Sequence, residues 1–372
     1  MDLTNLITEL SKGFAAFTWG NAVMILVGLI LIFLAIVKEY EPVLLLPIGF
    51  GCLMANLGMS NQVGFMKVIY DAGISTELFP LLIFIGVGAM IDFSPLLSQP
   101  SMVLLGAAGQ FGIYGTLLLA LALGFPLNQA ASIGVIGAID GPTAIFVGTK
   151  LAPEIVAPIA VAAYSYMSLI PIIQPPIMKL MTTRKERLIR MEYSPKPVSR
   201  LTLIIFPILV TLLVALVAPD AAPLMAALML GNLLREALVV ERLSKMVQNE
   251  LINIATLFLG LAIGSTMTAE SFLNWSTLAI LGLGLLAFVI DTVAGLLFGK
   301  LMAVITHGKV NPLIGACGIS AFPMAGRLSA KMALEEDPSN FILMHAMGSN
   351  TAGQLGSVIA GGILLALVTG IP

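Results

Sequence analysis

Charge is what this chain has least of. Its 18 Lys and Arg and 20 Asp and Glu make up only 10% of 372 residues, where soluble domains carry about 25%. A net charge of −2 offers no basic surface to nucleic acid. Cysteine and histidine number two each. Cys52 and Cys317 have no paired spacing and lie in apolar, glycine-rich stretches, so they read as packing residues rather than a disulfide or a metal pair. His307 and His345 are too few and too isolated for a haem or zinc site, which removes redox cofactor chemistry from the reading. Alternating ten-residue segments are also missing, and with them a β-barrel.

What remains is apolar. The chain is 58% hydrophobic, with a mean hydropathy of +1.03, the composition of an all-α polytopic protein of the lipid bilayer. Apolar runs follow one another from 22–37 to 339–370. At about 20 residues per crossing they predict ten or eleven membrane segments. The runs 128–148 and 311–325 are too short or too broken to cross as plain helices. Residues 1–18 carry Asp2, Glu9 and Lys12 and end at Trp19, which predicts an interfacial helix rather than a signal peptide. Residues 1–40 would then hold this helix and a first span.

Between Lys179 and Arg200 lie Arg184, Lys185, Arg187, Arg190 and Lys196. The positive-inside rule makes this linker, 181–200, cytoplasmic. It separates a first repeat, 41–180, from a second, 201–372. Phe84-Ile-Gly-Val-Gly resembles Phe258-Leu-Gly-Leu-Ala, Ala55-Asn56-Leu57 resembles Gly231-Asn232-Leu233, and Ile136-Gly137-Ala138 resembles Ile314-Gly315-Ala316. The pairs occur in the same order in both halves. Two inverted repeats, each with a broken or re-entrant segment, are the layout of transport folds that place their site at the midplane.

Asp140 stands in the otherwise uncharged stretch Ala130–Val147, followed at once by Gly141 and Pro142. A carboxylate at membrane depth is costly and persists where it faces a partner or an ion path. Proline and glycine break the helical ladder beside it, and freed carbonyls next to an acid make an alkali-cation site. The alternative is a buried Asp that only caps a half-helix.

The second broken segment, 311–327, holds Asn311, Ser320 and Arg327 among glycines and prolines. Arg327 either takes an anion (Asp140, a substrate, or both in turn) or snorkels to the interface beside Lys331. Asn350, in His345-Ala-Met-Gly-Ser-Asn, either offers its amide oxygen to a cation or bonds across helices. Tyr166 either donates a proton or is a structural hydrogen bonder. Asp291 is a second intramembrane acid with no evident partner. Asp92 is expected to cap the segment that follows it.

Gly137-Ala-Ile-Asp-Gly-Pro-Thr143, Asn311-Pro-Leu-Ile-Gly, Ser320, Arg327 and His345-Ala-Met-Gly-Ser-Asn350 together resemble the β subunits of the sodium-pumping, biotin-dependent decarboxylases of oxaloacetate, methylmalonyl-CoA and glutaconyl-CoA. The resemblance runs from about residue 20 to the end. It implies a multi-pass protein of the bacterial cytoplasmic (inner) membrane. A carboxyltransferase α subunit and a biotin carrier protein supply carboxybiotin in trans, and small single-span membrane subunits and a homo-oligomer complete the assembly. The β subunit releases carbon dioxide and exports sodium ions, consuming a proton. Carried over by position, Asp140 and Asn311 bind sodium with Asn350 close by. Ser320 and Tyr166 share in sodium binding or proton delivery, and Arg327 holds carboxybiotin. The rival reading from the residues alone is a sodium-coupled secondary transporter of an organic anion held by Arg327. The compact length leans toward an acyl-CoA as the acid decarboxylated by the complex.

Overall fold

The computed structural model describes residues 16–192 and 197–370. The expected interfacial helix therefore lies almost wholly outside the described residues, as does Lys196. Among those described there is no strand. The principal helices are α1 (Trp19–Val37), α2 (Pro42–Asn56), α3 (Gly64–Gly73), α4 (Leu78–Met90), α5 (Met102–Ala108), α6 (Phe111–Ala122), α7 (Leu127–Gly134), α8 (Gly141–Leu151), α9 (Val156–Ser168), α10 (Ile170–Met181), α11 (Arg200–Val217), α12 (Ala222–Ala237), α13 (Ile252–Ser265), α14 (Trp275–Ile305), α15 (Met324–Glu336) and α16 (Leu343–Thr369).

Among the described residues, six stretches are long and apolar enough to cross a bilayer: Trp19–Val37, Met102–Ala122, Arg200–Val217, Glu241–Ser265, Trp275–Ile305 and Leu343–Thr369. Two broken pairs, Gly64–Gly73 with Leu78–Met90 and Pro153–Met167 with Ile170–Met181, raise the number to eight. That is fewer than the ten or eleven expected from apolar runs. The difference comes from α2, only 15 residues long, and from the runs 128–148 and 311–325, which the structure interrupts. Many leucines are exposed, as on α11, where Leu209, Leu212, Leu213 and Leu216 stand outward. In lipid such a face needs no cover, because hydrocarbon is as apolar as leucine.

The described chain forms two compact units, each drawing on both halves of the sequence. One comprises residues up to Phe79 with Asn253–Ala279, the other Pro80–Ile252 with Ile280 onward. In the first unit α1 packs on α2, and the free, buried Cys52 lends its Sγ–H to Met24 O at 3.3 Å. Asn56, at the end of α2, donates to Met267 O at 2.7 Å, just beyond α13. In the second unit Asn232, on α12, donates to Ile91 O at 3.0 Å, just beyond α4. The two asparagines of the matched sequence pairs thus do the same work. Each satisfies a carbonyl past the glycine-rich helix of the other half.

The second unit also holds the linker. Thr183 and Glu186 form a reciprocal capping box on the turn Arg184–Arg187. Arg187 pairs with Glu336 at 2.6 Å and Arg190 with Asp337 at 2.7 Å, at the end of α15. Lys300 reaches Glu186 at 3.2 Å. The side-chain amides of Asn311 and Asn340 both donate to the carbonyls of Arg187 and Ile189.

The arginines hold the Glu336 and Asp337 carboxyls below their usual range, chiefly through hydrogen bonds from Arg187 and Arg190. A depressed carboxyl stabilises above its unfolded value and stops doing so as pH falls through the folded one. A spin label at position 185 should therefore be immobile at neutral pH and gain mobility as pH drops below about 4, the ordinary carboxylate range. High salt at neutral pH should produce a smaller release, since it screens the more open Arg190–Asp337 pair but not the largely covered Arg187–Glu336 pair.

Candidate functional site

Two breaks in helical structure build the site. The first follows α7. A 3-10 turn, Val135–Ala138, leads to Ile139, whose φ of 53° puts a β-branched residue in the left-handed region. Such a conformation costs about 1–3 kcal/mol and survives where its surroundings impose it. Asp140 then takes an extended conformation as the N-cap of α8, with Pro142 in the first turn, where its missing N–H costs nothing. The second break is the 3-10 turn Pro312–Cys317 and the loop Gly318–Pro323 that precedes α15.

The breaks sit where backbones touch. A Cβ on Gly318 would overlap Leu105 O, and one on Gly109 or Gly353 would overlap Gly318 O. A Cβ on Gly137 would lie 2.5 Å from the carbonyl carbon of Gly112. The loop backbones meet directly, with Ser320 N donating to Ala138 O at 3.3 Å. Breaking a helix frees carbonyls that lipid cannot satisfy, and buried side chains take them up. Gln174 serves Ala316 O at 2.8 Å, Asn350 serves Ile319 O at 2.6 Å, and Ser329 serves Leu313 O at 3.1 Å. Gln110 is shared among the carbonyls of Gly106, Gly318 and Gly353. Ser320 donates to Gly353 O at 3.1 Å.

Asp140 is 5% exposed. Its Oδ2 accepts from Thr143 Oγ1 at 2.8 Å, Ser357 Oγ at 2.9 Å and Gln354 Nε2 at 3.0 Å, while Oδ1 accepts from Thr143 N at 3.3 Å. Four donors and a helix N-terminus favour the anion. No Lys, Arg or His pairs with it among the described residues. Nor do three His, Cys, Asp or Glu side chains converge anywhere among them. A cation here would meet one carboxylate and otherwise neutral oxygens, the donor set that suits a hard alkali ion.

Residues 20–368 match the family model of the Na+-transporting oxaloacetate decarboxylase beta subunit. The chain is 53% identical over 358 residues to the methylmalonyl-CoA decarboxylase subunit beta of Veillonella parvula, covering 96% of each chain. It is 51% identical to the glutaconyl-CoA decarboxylase subunit beta of Acidaminococcus fermentans, over 99% of this chain and 98% of the other. To the oxaloacetate decarboxylase beta chain of Klebsiella pneumoniae it is 48% identical, over 94% and 95%. The chain belongs to this family. It is a β subunit of the Na+-transporting decarboxylases, and the secondary-transporter reading gives way to that one.

The β subunit brings some of the expected residues together and not others. Asp140 and Ser320 lie on the two loops that meet at Ala138, and Asn350 sits one turn before Gln354 on α16. The amide oxygen of Asn350 is buried and free of hydrogen bonds. Asn311, by contrast, is bound to the linker, and its Oδ1 accepts from Leu313 N at 3.0 Å. Arg327 is exposed on α15 and forms no pair with Asp140, so that option is not realised. Tyr166 donates its hydroxyl to Leu281 O at 2.5 Å. The phenol beside Asp140 is Tyr164, whose ring lies against Gly141 and whose buried hydroxyl has no partner. Thr143, Gln354 and Ser357, which hold the carboxylate directly, escaped sequence reasoning. A helical i, i+4, i+7 spacing of Asn350, Gln354 and Ser357 was the available signal. Asp92 Oδ1 accepts from Ser94 N at 2.8 Å, but the N-cap of the helix Ser94–Ser98 is Phe93, so Asp92 supports that helix from one residue ahead of its cap.

Proposed function

We propose that this β subunit decarboxylates carboxybiotin, delivered by a carboxyltransferase α subunit and a biotin carrier protein, and exports sodium as it does so. Small single-span membrane subunits and further copies of the chain would complete the assembly in the bacterial inner membrane. Breakage of the N–carboxylate bond leaves its electron pair on the ureido nitrogen, which takes up a proton as carbon dioxide departs. The chain must therefore deliver a proton and a dry pocket. The observation that carries this reading is Asp140: a buried carboxylate, held by four donors, with no protein cation beside it. Sodium and a proton would take turns as its positive partner.

Sodium is the cargo. Asp140, Ser320 and Asn350 would hold it at the crossing, with Asn311 a ligand on the linker side of the same path. Arg327 would bind the carboxylate of carboxybiotin. Two inverted repeats, 41–180 and 201–372, with ten or eleven membrane segments when broken ones are included, agree with the exchanged work of Asn56 and Asn232. The broken segments agree as well, since each packs a glycine against the helix before it, Gly137 on α6 and Gly315 on α14. Identity is somewhat higher to the two acyl-CoA decarboxylase subunits than to the oxaloacetate chain, which favours an acyl-CoA as the donor acid.

Proteoliposomes carrying the purified chain, given carboxybiotin, should release carbon dioxide only when sodium is present. Anion uptake without decarboxylation would overturn the reading. Proton delivery would pass through Tyr166 and Tyr164, so Tyr166→Phe and Tyr164→Phe should each lower turnover about tenfold. Only Tyr166→Phe, which removes a hydrogen bond to Leu281 O, should also lose about 1 kcal/mol of stability. Turnover and thermal melts of both variants check this.

A further inference from the structure

The loop that closes the second break has two sides. Ser320 meets the first break at Ala138, while Phe322 and Pro323 wall a cavity of about 290 Å³. Asp92, Arg235, Arg327 and Met347 also line it. Two guanidinium groups and one carboxylate thus share a small and otherwise largely apolar space. Arg327 has no hydrogen bond or ion pair from its side chain among the described residues. Arg235 is anchored from behind, with Nη1 on Met90 O at 2.8 Å and Nε on Glu236 Oε1 at 3.3 Å. Its Nη2 lies 3.9 Å from Asp92 Oδ2, too far for a hydrogen bond. Asp92 is itself committed at Oδ1 to Ser94 N. Arg235 is therefore a fixed guanidinium with uncommitted donors at the cavity.

We propose that Arg235 is a second binding residue for carboxybiotin, donating Nη2 to the ureido carbonyl oxygen while Arg327 takes the N-carboxylate. This rests on the carboxybiotin reading above. The substrate presents two acceptors side by side in one plane, the carboxylate and the ureido oxygen. Planar guanidinium forks match such acceptors where a lysine would not. Phe322, Pro323 and Met347 supply the apolar wall that the sulfur-containing bicycle requires. Asp92 is the competing anion: its Oδ2 faces Arg235 Nη2 across the same cavity at 3.9 Å.

The test uses the whole decarboxylase complex, with carboxybiotin as substrate and biotinamide as inhibitor. Biotinamide keeps the ureido oxygen but lacks the N-carboxylate, so it separates the two arginines. Arg235→Ala should weaken biotinamide inhibition and raise KM for carboxybiotin, each at least about tenfold, the loss of a hydrogen bond from a charged donor. Arg327→Ala should raise that KM while leaving biotinamide inhibition unchanged. Arg235→Lys keeps a donor for Met90 O, guards against misfolding, and should fall between wild type and Arg235→Ala. Asp92→Asn keeps an acceptor for Ser94 N yet removes the competing charge, so KM should fall. Wild-type inhibition and KM in both Arg235 variants, in a complex that decarboxylates normally, would overturn the proposal. A wild-type complex unable to decarboxylate carboxybiotin would instead overturn the functional reading beneath it.

Discussion

Asp140→Asn is expected to abolish sodium-dependent release of carbon dioxide and sodium transport together, with turnover falling at least about 100-fold. The substitution is nearly isosteric. With its oxygen in the Oδ1 place, asparagine still caps α8 by accepting from Thr143 N, and its amide can donate to the hydroxyls of Thr143 and Ser357. Folding should survive. What disappears is the negative charge, and with it the stabilisation of a bound cation in a site where water is excluded. Removing one preorganised electrostatic partner in such surroundings costs about 10²–10³ in rate. A merely structural cap would lose little by the change. Paired assays of carbon dioxide release and sodium flux check the prediction, and retention of both would show that Asp140 only ends a helix.

Gly318→Ala should be the most damaging change to the architecture. Its Cβ would overlap the carbonyl oxygen of Leu105 and lie 3.3 Å from Gly109 Cα, while the Gly318 carbonyl itself fills the space that side chains on Gly109 and Gly353 would need. None of these atoms is the end of a flexible side chain. Overpacking in a close-packed region ordinarily costs about 1–3 kcal/mol, and a backbone-to-backbone crossing has less room to adjust. A loss of about 3 kcal/mol or more is expected, together with the hydrogen bonds from Gln110 to Gly318 O and from Asn350 to Ile319 O. Thermal melts in detergent measure it. A variant as stable as wild type would mean that the second broken segment does not cross where the structure has it.

Much of this was legible in the residues. Low charge and long apolar runs announce a membrane protein, and a lone acid followed by Gly-Pro announces a broken helix. Both broken segments lie where glycine and proline placed them. The crossing count was less legible, because hydropathy scores apolar length and cannot tell a span from a half-helix buried in protein. The partners of Asp140 were hidden for a related reason. Thr143 is near in sequence, but Gln354 and Ser357 lie more than 200 residues away, and only the packing of α16 on α8 brings them in.

Some polar residues were read toward the ion when their first duty is to the backbone. Asn350 satisfies Ile319 O, and Asn311 pins the linker. Lipid leaves no other donor for such carbonyls, so a polar residue at membrane depth is as readily a backbone partner as a ligand. Tyr164 and Tyr166 show the limit most plainly. Two residues apart on one helix, they point differently, and only the close approach of Gly141 reveals which phenol adjoins the acid.

In the proposed cycle one carboxylate, Asp140, alternates between sodium and a proton. Equilibrium binding of radioactive sodium to the purified chain, with proton release followed in the same sample, tests it most directly. The account predicts that acid weakens sodium binding, that sodium binding displaces protons, and that Asp140→Asn loses both. Sodium bound equally well at every pH, or retained in Asp140→Asn, would contradict it.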